Sequence, residues 1–290
     1  MLLQQIINGL SLGSMYALLA VGFALICGML EMITFAHGEV FMVGAFAGLA
    51  LIVGFHLGPV GGVAAAVIAS LALGLFIERV AFRPFRNASA LSPALITIGF
   101  SILLQAAILL LVGADTKPFP YDVGKYKIVL GPVVISSIEI VVIGVAFLLM
   151  AVLQVLIHKT RWGLALRATS LHFNAANIMG VNTNQVVALA FGLASALAGA
   201  DGLLVGAYYG AFYPQMGVGI SLKALAAATL GGINSVSGAM LGSMLLGLIE
   251  SLTVAYISTG YRDVIAFTIL IAVLLLRPAG LFGRVKEEKV

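Results

Sequence analysis

Long apolar stretches leave this chain few ways to fold: they run over about 6–28, 37–56, 59–80, 91–113, 133–157, 184–211, 219–254 and 262–277. A helix needs about 20 apolar residues to cross roughly 30 Å of hydrocarbon. Backbone surrounded by lipid must also satisfy its own hydrogen bonds, so such stretches predict an all-α polytopic membrane protein. Composition agrees, because 62% of the residues are hydrophobic and 9% charged, whereas soluble domains carry about 25% charged residues. The stretch from Leu2 to Leu30 lacks a basic flank and exceeds the roughly 7–15 apolar residues of a cleavable leader, so it reads as a permanent segment. Residues 1–290 are expected to form one transmembrane domain in the lipid bilayer, without a nucleic-acid partner.

Lysine and arginine set the expected orientation. Arg79, Arg83 and Arg86 mark one loop, Lys159, Arg161 and Arg167 a second, and Arg277, Arg284, Lys286 and Lys289 the C-terminal end. These three places should share the cytoplasmic side. The loop 114–131 balances Lys117, Lys125 and Lys127 against Asp115 and Asp122, carries Pro118 and Pro120 with Pro132 just beyond, and should lie outside. A single crossing by 219–254 would then bring the C-terminal basic cluster out on the wrong side. The segment Gly231-Gly232-Ile233-Asn234-Ser235-Val236-Ser237-Gly238 in its middle predicts instead a re-entrant or broken pair of helices. By the same count the N-terminus falls outside.

A second interruption lies at 29–39, where Glu31, Thr34, His37 and Glu39 sit between apolar runs. Ionisable groups at membrane depth are functional candidates by default. The two halves repeat a pattern of helix, polar break and helices, and interrupted helices in matching positions point to a transporter's substrate path. Thr34, His37, Glu39, Gly231, Gly232, Asn234 and Ser235 are the candidate lining, with both breaks expected at mid-membrane. The competing reading of Glu39 and His37 is structural, since a carboxylate near a helix start is stabilised by the dipole there; proton coupling is a third. Asp201, inside 184–211, is expected to pair with Lys223 or with a partner subunit. Glu139, Lys223 and Glu250 should pair or snorkel near span ends, and Tyr208, Tyr209, Phe212 and Tyr213 should form an interfacial belt. His37, His56, His158 and His172 are scattered and Cys27 is the lone cysteine, so no metal site, disulfide or catalytic constellation is expected.

Residues 158–182 are too polar to span. Leu164, Ala168, Leu171 and Ala175 recur at helical spacing, predicting short surface helices, with Gly180 ending one and Asn182 or Thr183 capping the next span. The segment Gly163-Leu164-Ala165-Leu166-Arg167-Ala168 with Ala175-Ala176-Asn177-Ile178-Met179-Gly180-Val181-Asn182 resembles the cytoplasmic loop of bacterial ABC importer permeases of the branched-chain amino acid type, the LivH-type subunits. Phe35-Ala36-His37-Gly38-Glu39, Ile77-Glu78-Arg79-Val80-Ala81-Phe82-Arg83-Pro84, Leu230-Gly231-Gly232-Ile233 with Gly238-Ala239, and Arg277-Pro278-Ala279-Gly280-Leu281-Phe282-Gly283 also resemble that family, in order, over about residues 5–285.

The resemblance implies a multi-pass permease of the bacterial inner membrane, working with a second, LivM-like permease subunit, two ATPase subunits and a periplasmic substrate-binding protein. The loop would dock on an ATPase through Gly163, Arg167, Ala168, Ala175, Ala176, Met179 and Gly180. The chain contains no phosphate-binding Gly-x-x-x-x-Gly-Lys-Ser/Thr loop, so ATP and magnesium are expected on the partner ATPases, with no cofactor or enzymatic activity in this chain. Lipid anchoring through Lys159, Arg161 and Arg167 is the rival role for the loop. The expected cargo is a branched-chain or related aliphatic amino acid. Urea or a short-chain amide is the alternative within this architecture, an ATP-independent channel or carrier the alternative mechanism, and a membrane enzyme the remaining class.

Overall fold

A computed structural model describes residues 2–30, 32, 34–85, 91–124, 126–131 and 133–283. Glu31, Arg86, Lys125, Pro132, Arg284, Lys286 and Lys289, all used above, lie outside the described residues. The chain is a polytopic α-helical membrane protein. Among the described residues eight helices are long and apolar enough to span: Leu2–Met29, His37–Phe55, Pro59–Phe82, Ser92–Val112, Ser137–Lys159, Thr183–Tyr209, Val236–Tyr256 and Thr259–Leu276.

In chain order the helices are α1 (Leu2–Phe23, prolonged by a π-helical turn Ala24–Met29), α2 (His37–Phe55), α3 (Pro59–Ile77, prolonged by a π-helical turn Glu78–Phe82), α4 (Leu91–Val112), α5 (Ser137–Lys159), α6 (Arg161–Leu171), α7 (Phe173–Ile178), α8 (Thr183–Tyr209), α9 (Met216–Gly231), α10 (Val236–Tyr256) and α11 (Arg262–Leu276). Their ends follow local chemistry. Pro59, which has no amide hydrogen to lose, opens α3. Ser136 and Glu139 form a capping box on α5, the Ser136 amide donating to Glu139 Oε2 at 2.8 Å, so Glu139 caps rather than snorkels. Asn182 accepts from the Gln185 amide at 3.2 Å and starts α8 as expected. The loop after α4 holds a short antiparallel ribbon, β2 (Lys127–Leu130) with β3 (Val133–Ser136), and β1 (Lys117–Pro118) pairs with β4 (Ala211–Phe212) after α8.

Small residues let the central helices touch. A methyl group on Gly13 of α1 would lie 2.7 Å from Met244 Cα of α10, and one on Gly44 of α2 would lie 2.6 Å from Gly199 Cα of α8. Close backbone approach of this kind supplies the dispersion contact that lipid-solvated helices need in place of a hydrophobic drive. α1, α2 and α8 form the buried centre, with Leu18, Leu19, Phe41, Met42, Ala194 and Ala198 excluded from the surface. α4 and α11 lie at the periphery, exposing Leu110, Leu111, Leu275 and Leu276.

One end of the bundle gathers the described basic residues of the three predicted clusters. Arg79 and Arg83, at the end of α3, share a cleft with the start of α8. The tail donates from the Leu281 and Phe282 amides to the Leu230 and Gly231 carbonyls, both at 2.9 Å, so it packs beside the end of α9, and Phe282 lines a cleft with His158 and Arg167. This is the basic end of the bundle. α1 runs antiparallel to α10, with Gly9 against Leu248 and Gly28 against Ile233. α9 descends to the basic end and α10 returns, the even count the charge pattern demanded.

Candidate functional site

The two interruptions solve different problems. α1 ends near the basic end, whereas α2 begins back inside the bundle at His37, whose ring contacts Phe23 edge-on at 4.8 Å. Thr34, His37 and Glu39 are all buried. The freed backbone is partly satisfied by α4, where Thr97 Oγ1 accepts from the Phe35 amide at 3.2 Å. α2 therefore starts inside the protein, the Glu39 and Val40 amides of its first turn donating to the Ala36 carbonyl at 3.1 and 3.0 Å.

α9 starts there too. A methyl on Gly38 would sit 2.7 Å from the Gly217 carbonyl oxygen, and one on Gly217 would sit 2.8 Å from the Gly38 carbonyl carbon. Each glycine is the second residue of its helix, so the positive ends of two helix dipoles converge at this contact. Glu39, one residue further on, projects beside it. Its Oε1 accepts from Ser101 at 2.9 Å and Gln105 at 2.8 Å, both on α4, while Oε2 has no hydrogen-bond partner among the described residues and would lie 3.3 Å from a methyl on Gly217. His37 Nε2 is likewise without a hydrogen-bond partner among the described residues, and is pressed against Gly22. Buried polar atoms without partners are uncommon and call for an explanation.

The other predicted lining group lies elsewhere. Gly231 ends α9, Gly232 turns the chain at φ 111°, and Ser235 Oγ caps α10 by accepting from the Gly238 amide at 3.1 Å. A side chain on Gly232 would collide with Gly283 and Ala279 of the tail. The Gly231–Ser235 turn thus sits at the basic end, against the tail and residues 157–171, instead of at the depth of His37 and Glu39. The reason is length: α9 has 16 residues, about 24 Å at 1.5 Å per residue, enough to run from its buried start to that end. The two interruptions still touch, since Gly28 packs on the Ile233 carbonyl with Asn234 Cα beside it.

Asp201 does not pair with Lys223. It is wholly buried in α8 and neither carboxyl oxygen has a hydrogen-bond partner among the described residues. Lys223 lies instead 3.0 Å from Glu250 and 2.6 Å from Asp263. Arg262 reaches Glu250 at 2.6 Å and donates to Tyr16 Oη at 2.9 Å, and Tyr16 donates to Glu250 at 2.8 Å. This network joins α1, α9, α10 and α11. Phe212 also departs from expectation: it is fully buried against Phe46 and Phe119, whereas Tyr209 and Tyr213 are exposed.

In the segment 158–182, α6 and α7 form as predicted and Gly180 ends them at φ 85°. Leu164, Ala168, Leu171 and Ala175, whose spacing predicted the helices, are not the buried face. Gly163, Leu166, Thr169 and Ala176 turn inward, while Trp162, Leu164, Leu171, Ile178 and Met179 point outward and Ala175 is exposed. Gly163 packs on the Ile157 carbonyl, where a side chain would not fit; Arg167 and Ala168 are half-buried.

Sequence reasoning missed Ser101, Gln105 and Gly217. A signal was present for the first two: Thr97, Ser101 and Gln105 recur every four residues in an otherwise apolar span, one polar stripe that must face protein.

The profile of the family described as "Branched-chain amino acid transport system / permease component" matches residues 5–274. The chain is 41% identical to the Escherichia coli protein named high-affinity branched-chain amino acid transport system permease protein LivH, over 99% of this chain and 97% of that one. It is 41% identical to the corresponding permease protein BraD of Pseudomonas aeruginosa over 99% and 98%. A probable branched-chain amino acid transport permease protein LivH of Methanocaldococcus jannaschii is 29% identical over 93% and 89%.

Proposed function

Since the chain belongs to the branched-chain amino acid transport system permease family, we propose that it forms the translocation path of an ABC importer for leucine, isoleucine, valine or a related aliphatic amino acid. The observation that carries this reading is the meeting of two helix starts at Gly38 and Gly217 beside the Glu39 carboxylate. Helix starts favour a solute carboxylate and Glu39 favours an ammonium group, so one small site offers both complements of a zwitterion. Ile26, Val40, Ile77 and Phe191 pack around Thr34 and His37, so the surroundings of the break are apolar. Gly231, Gly232, Asn234 and Ser235 form the lower end of the path.

In this reading the basic end and the C-terminus face the cytoplasm of a bacterial inner membrane and the N-terminus lies outside, as the basic clusters favour. Residues 158–182 couple the path to an ATPase subunit, with Met179 and the exposed apolar residues of α6 and α7 as the docking surface and Gly163, Arg167, Ala168, Ala175, Ala176 and Gly180 shaping it. Two ATPase subunits supply ATP and magnesium chemistry, a LivM-like permease completes the membrane portion, and a periplasmic binding protein delivers the solute; no cofactor resides in this chain.

Replacing Met179 with Asp in the complete transporter should leave the assembly intact and ATP hydrolysis running while leucine uptake falls, because a charge on an apolar contact opposes docking. Unchanged uptake with unchanged ATPase stimulation by the loaded binding protein would remove the coupling role.

A further inference from the structure

A cleft of about 480 Å³ opens at the basic end between the α9–α10 turn and α6. Its volume falls in the range of small-molecule sites. One wall is the turn, through Asn234, Ser235 and Ser237; the other is α6, through Arg167, Ser170 and Leu171. Met29, Ile157, Val236 and Phe282 add apolar surface. The lining holds a guanidinium and the His158 ring, yet among the described residues no carboxylate. Arg167 is committed through one weak bond alone, Nε donating to the Gly163 carbonyl at 3.3 Å, and forms no ion pair among the described residues. Its remaining donors form a fork suited to a carboxylate.

We propose that this cleft binds the carboxylate of an aliphatic acid or amino acid on the coupling side, and that the solute released there acts back on the transporter. The identity of the solute rests on the function proposed above; the chemistry of the cleft does not. Arg167 would hold the carboxylate, with the hydroxyls of Ser170 and Ser237 within the same cleft and Met29, Val236 and Phe282 against the hydrocarbon. A ligand so placed bridges the segment assigned to ATPase docking and the turn that ends the path. It favours whichever arrangement keeps those two walls together, and a ligand shifts an equilibrium only by such differential contact. The α6 wall is tied to α5 through Thr160, whose Oγ1 accepts from the Gly163 amide at 3.1 Å, and the turn is tied to α5 through Gln154, which donates to Ser237 Oγ at 2.7 Å. Both walls are thereby referred to one rigid helix.

The test uses the complete transporter in proteoliposomes, with ATP in the lumen and loaded binding protein outside. Luminal leucine and luminal isocaproate, which keeps the carboxylate and loses the amine, should each slow labelled leucine uptake, while isoamylamine, which keeps the amine and loses the carboxylate, should not. In Ser170→Trp, where an indole occupies the cleft, the half-inhibiting concentration of isocaproate should rise by roughly tenfold, each variant being scaled to its own uptake without luminal solute. Labelled isocaproate should also bind the nucleotide-free transporter in nanodiscs, a readout that survives if Ser170→Trp fails to assemble. Inhibition by isoamylamine equal to that by isocaproate, unaltered inhibition in assembled Ser170→Trp, or no isocaproate binding would overturn the proposal. Absence of ATP-dependent leucine uptake into empty vesicles would instead count against the function proposed above, and isocaproate binding would still decide the cleft.

Discussion

Glu39 and Glu250 are equally hidden carboxylates in the same bundle, 2% and 0% exposed, and they are held in opposite ways. Glu250 meets two cations and a phenol, and the set is closed in charge: Oε2 accepts from Tyr16 and Arg262, Oε1 lies 3.0 Å from the Lys223 ammonium without a hydrogen bond, and Lys223 and Arg262 balance Glu250 and Asp263. Glu39 meets only neutral donors on one oxygen and two helix starts nearby, and leaves its second oxygen without a partner. A closed set of charges ties helices together and has nothing left to offer a ligand. An open one retains capacity for a visiting charge. The difference assigns Glu250 to assembly and Glu39 to the path, and it can be broken from either side.

The largest effect is expected at Glu250. Changing Glu250→Gln leaves Lys223 and Arg262 without their shared buried counter-charge, and breaking such a set by removing one member costs about 3–5 kcal/mol. The transporter should lose a large part of its thermal stability in detergent and its yield in the membrane, whether or not solute is present; a melting curve like that of the wild type would undo the structural role of the network. Next comes Gly217→Ala. A methyl there enters the Gly38 contact, an overpacking cost of about 1–3 kcal/mol that must be relieved by separating α2 from α9. Uptake per assembled transporter should drop, and uptake equal to wild type would mean that the two helix starts are free to part. Asp263→Asn is the smallest. Asp263 is a mostly exposed partner of Lys223, which keeps Glu250, so the change should cost no more than about 1 kcal/mol and a small shift in melting temperature. A loss as large as that of Glu250→Gln would show the network is not centred on Glu250.

The sequence disclosed the helices because lipid permits little else: the run 91–113 is helix almost throughout, and of the run 133–157 only Val133–Ser136, which pairs with Lys127–Leu130 as a strand, is not. It disclosed the turn at 231–238 for a more indirect reason, since the basic clusters would otherwise end on opposite sides. Depth was hidden. Nothing in the residues of the two breaks distinguishes one that returns into the bundle from one that rests at its end; the 16-residue length of α9, visible only once Gly210 and Gly232 had ended α8 and α9, decides it. The partner of Lys223 was hidden too, because Asp201 and Glu250 are both lone acids in apolar spans, and helix rotation alone selects between them. At 158–182 the apolar period was legible but its direction was not. Leu164 and Leu171 are exposed, and Gly163 brings α6 so close to α5 that the narrow side, Gly163, Leu166 and Thr169, is the one that turns inward.

The central claim is that Glu39 serves the solute and not the scaffold, and Glu39→Gln tests it most directly because the amide keeps the shape. The measurement is ATP-driven uptake of labelled leucine by the reconstituted transporter, with its melting temperature and ATPase rate read from the same preparation. The account predicts that assembly and binding-protein-stimulated hydrolysis persist while uptake falls by roughly tenfold or more, the scale of one charge-assisted hydrogen bond. Uptake at the wild-type rate, or a fall matched by an equal loss of assembled protein, would contradict it.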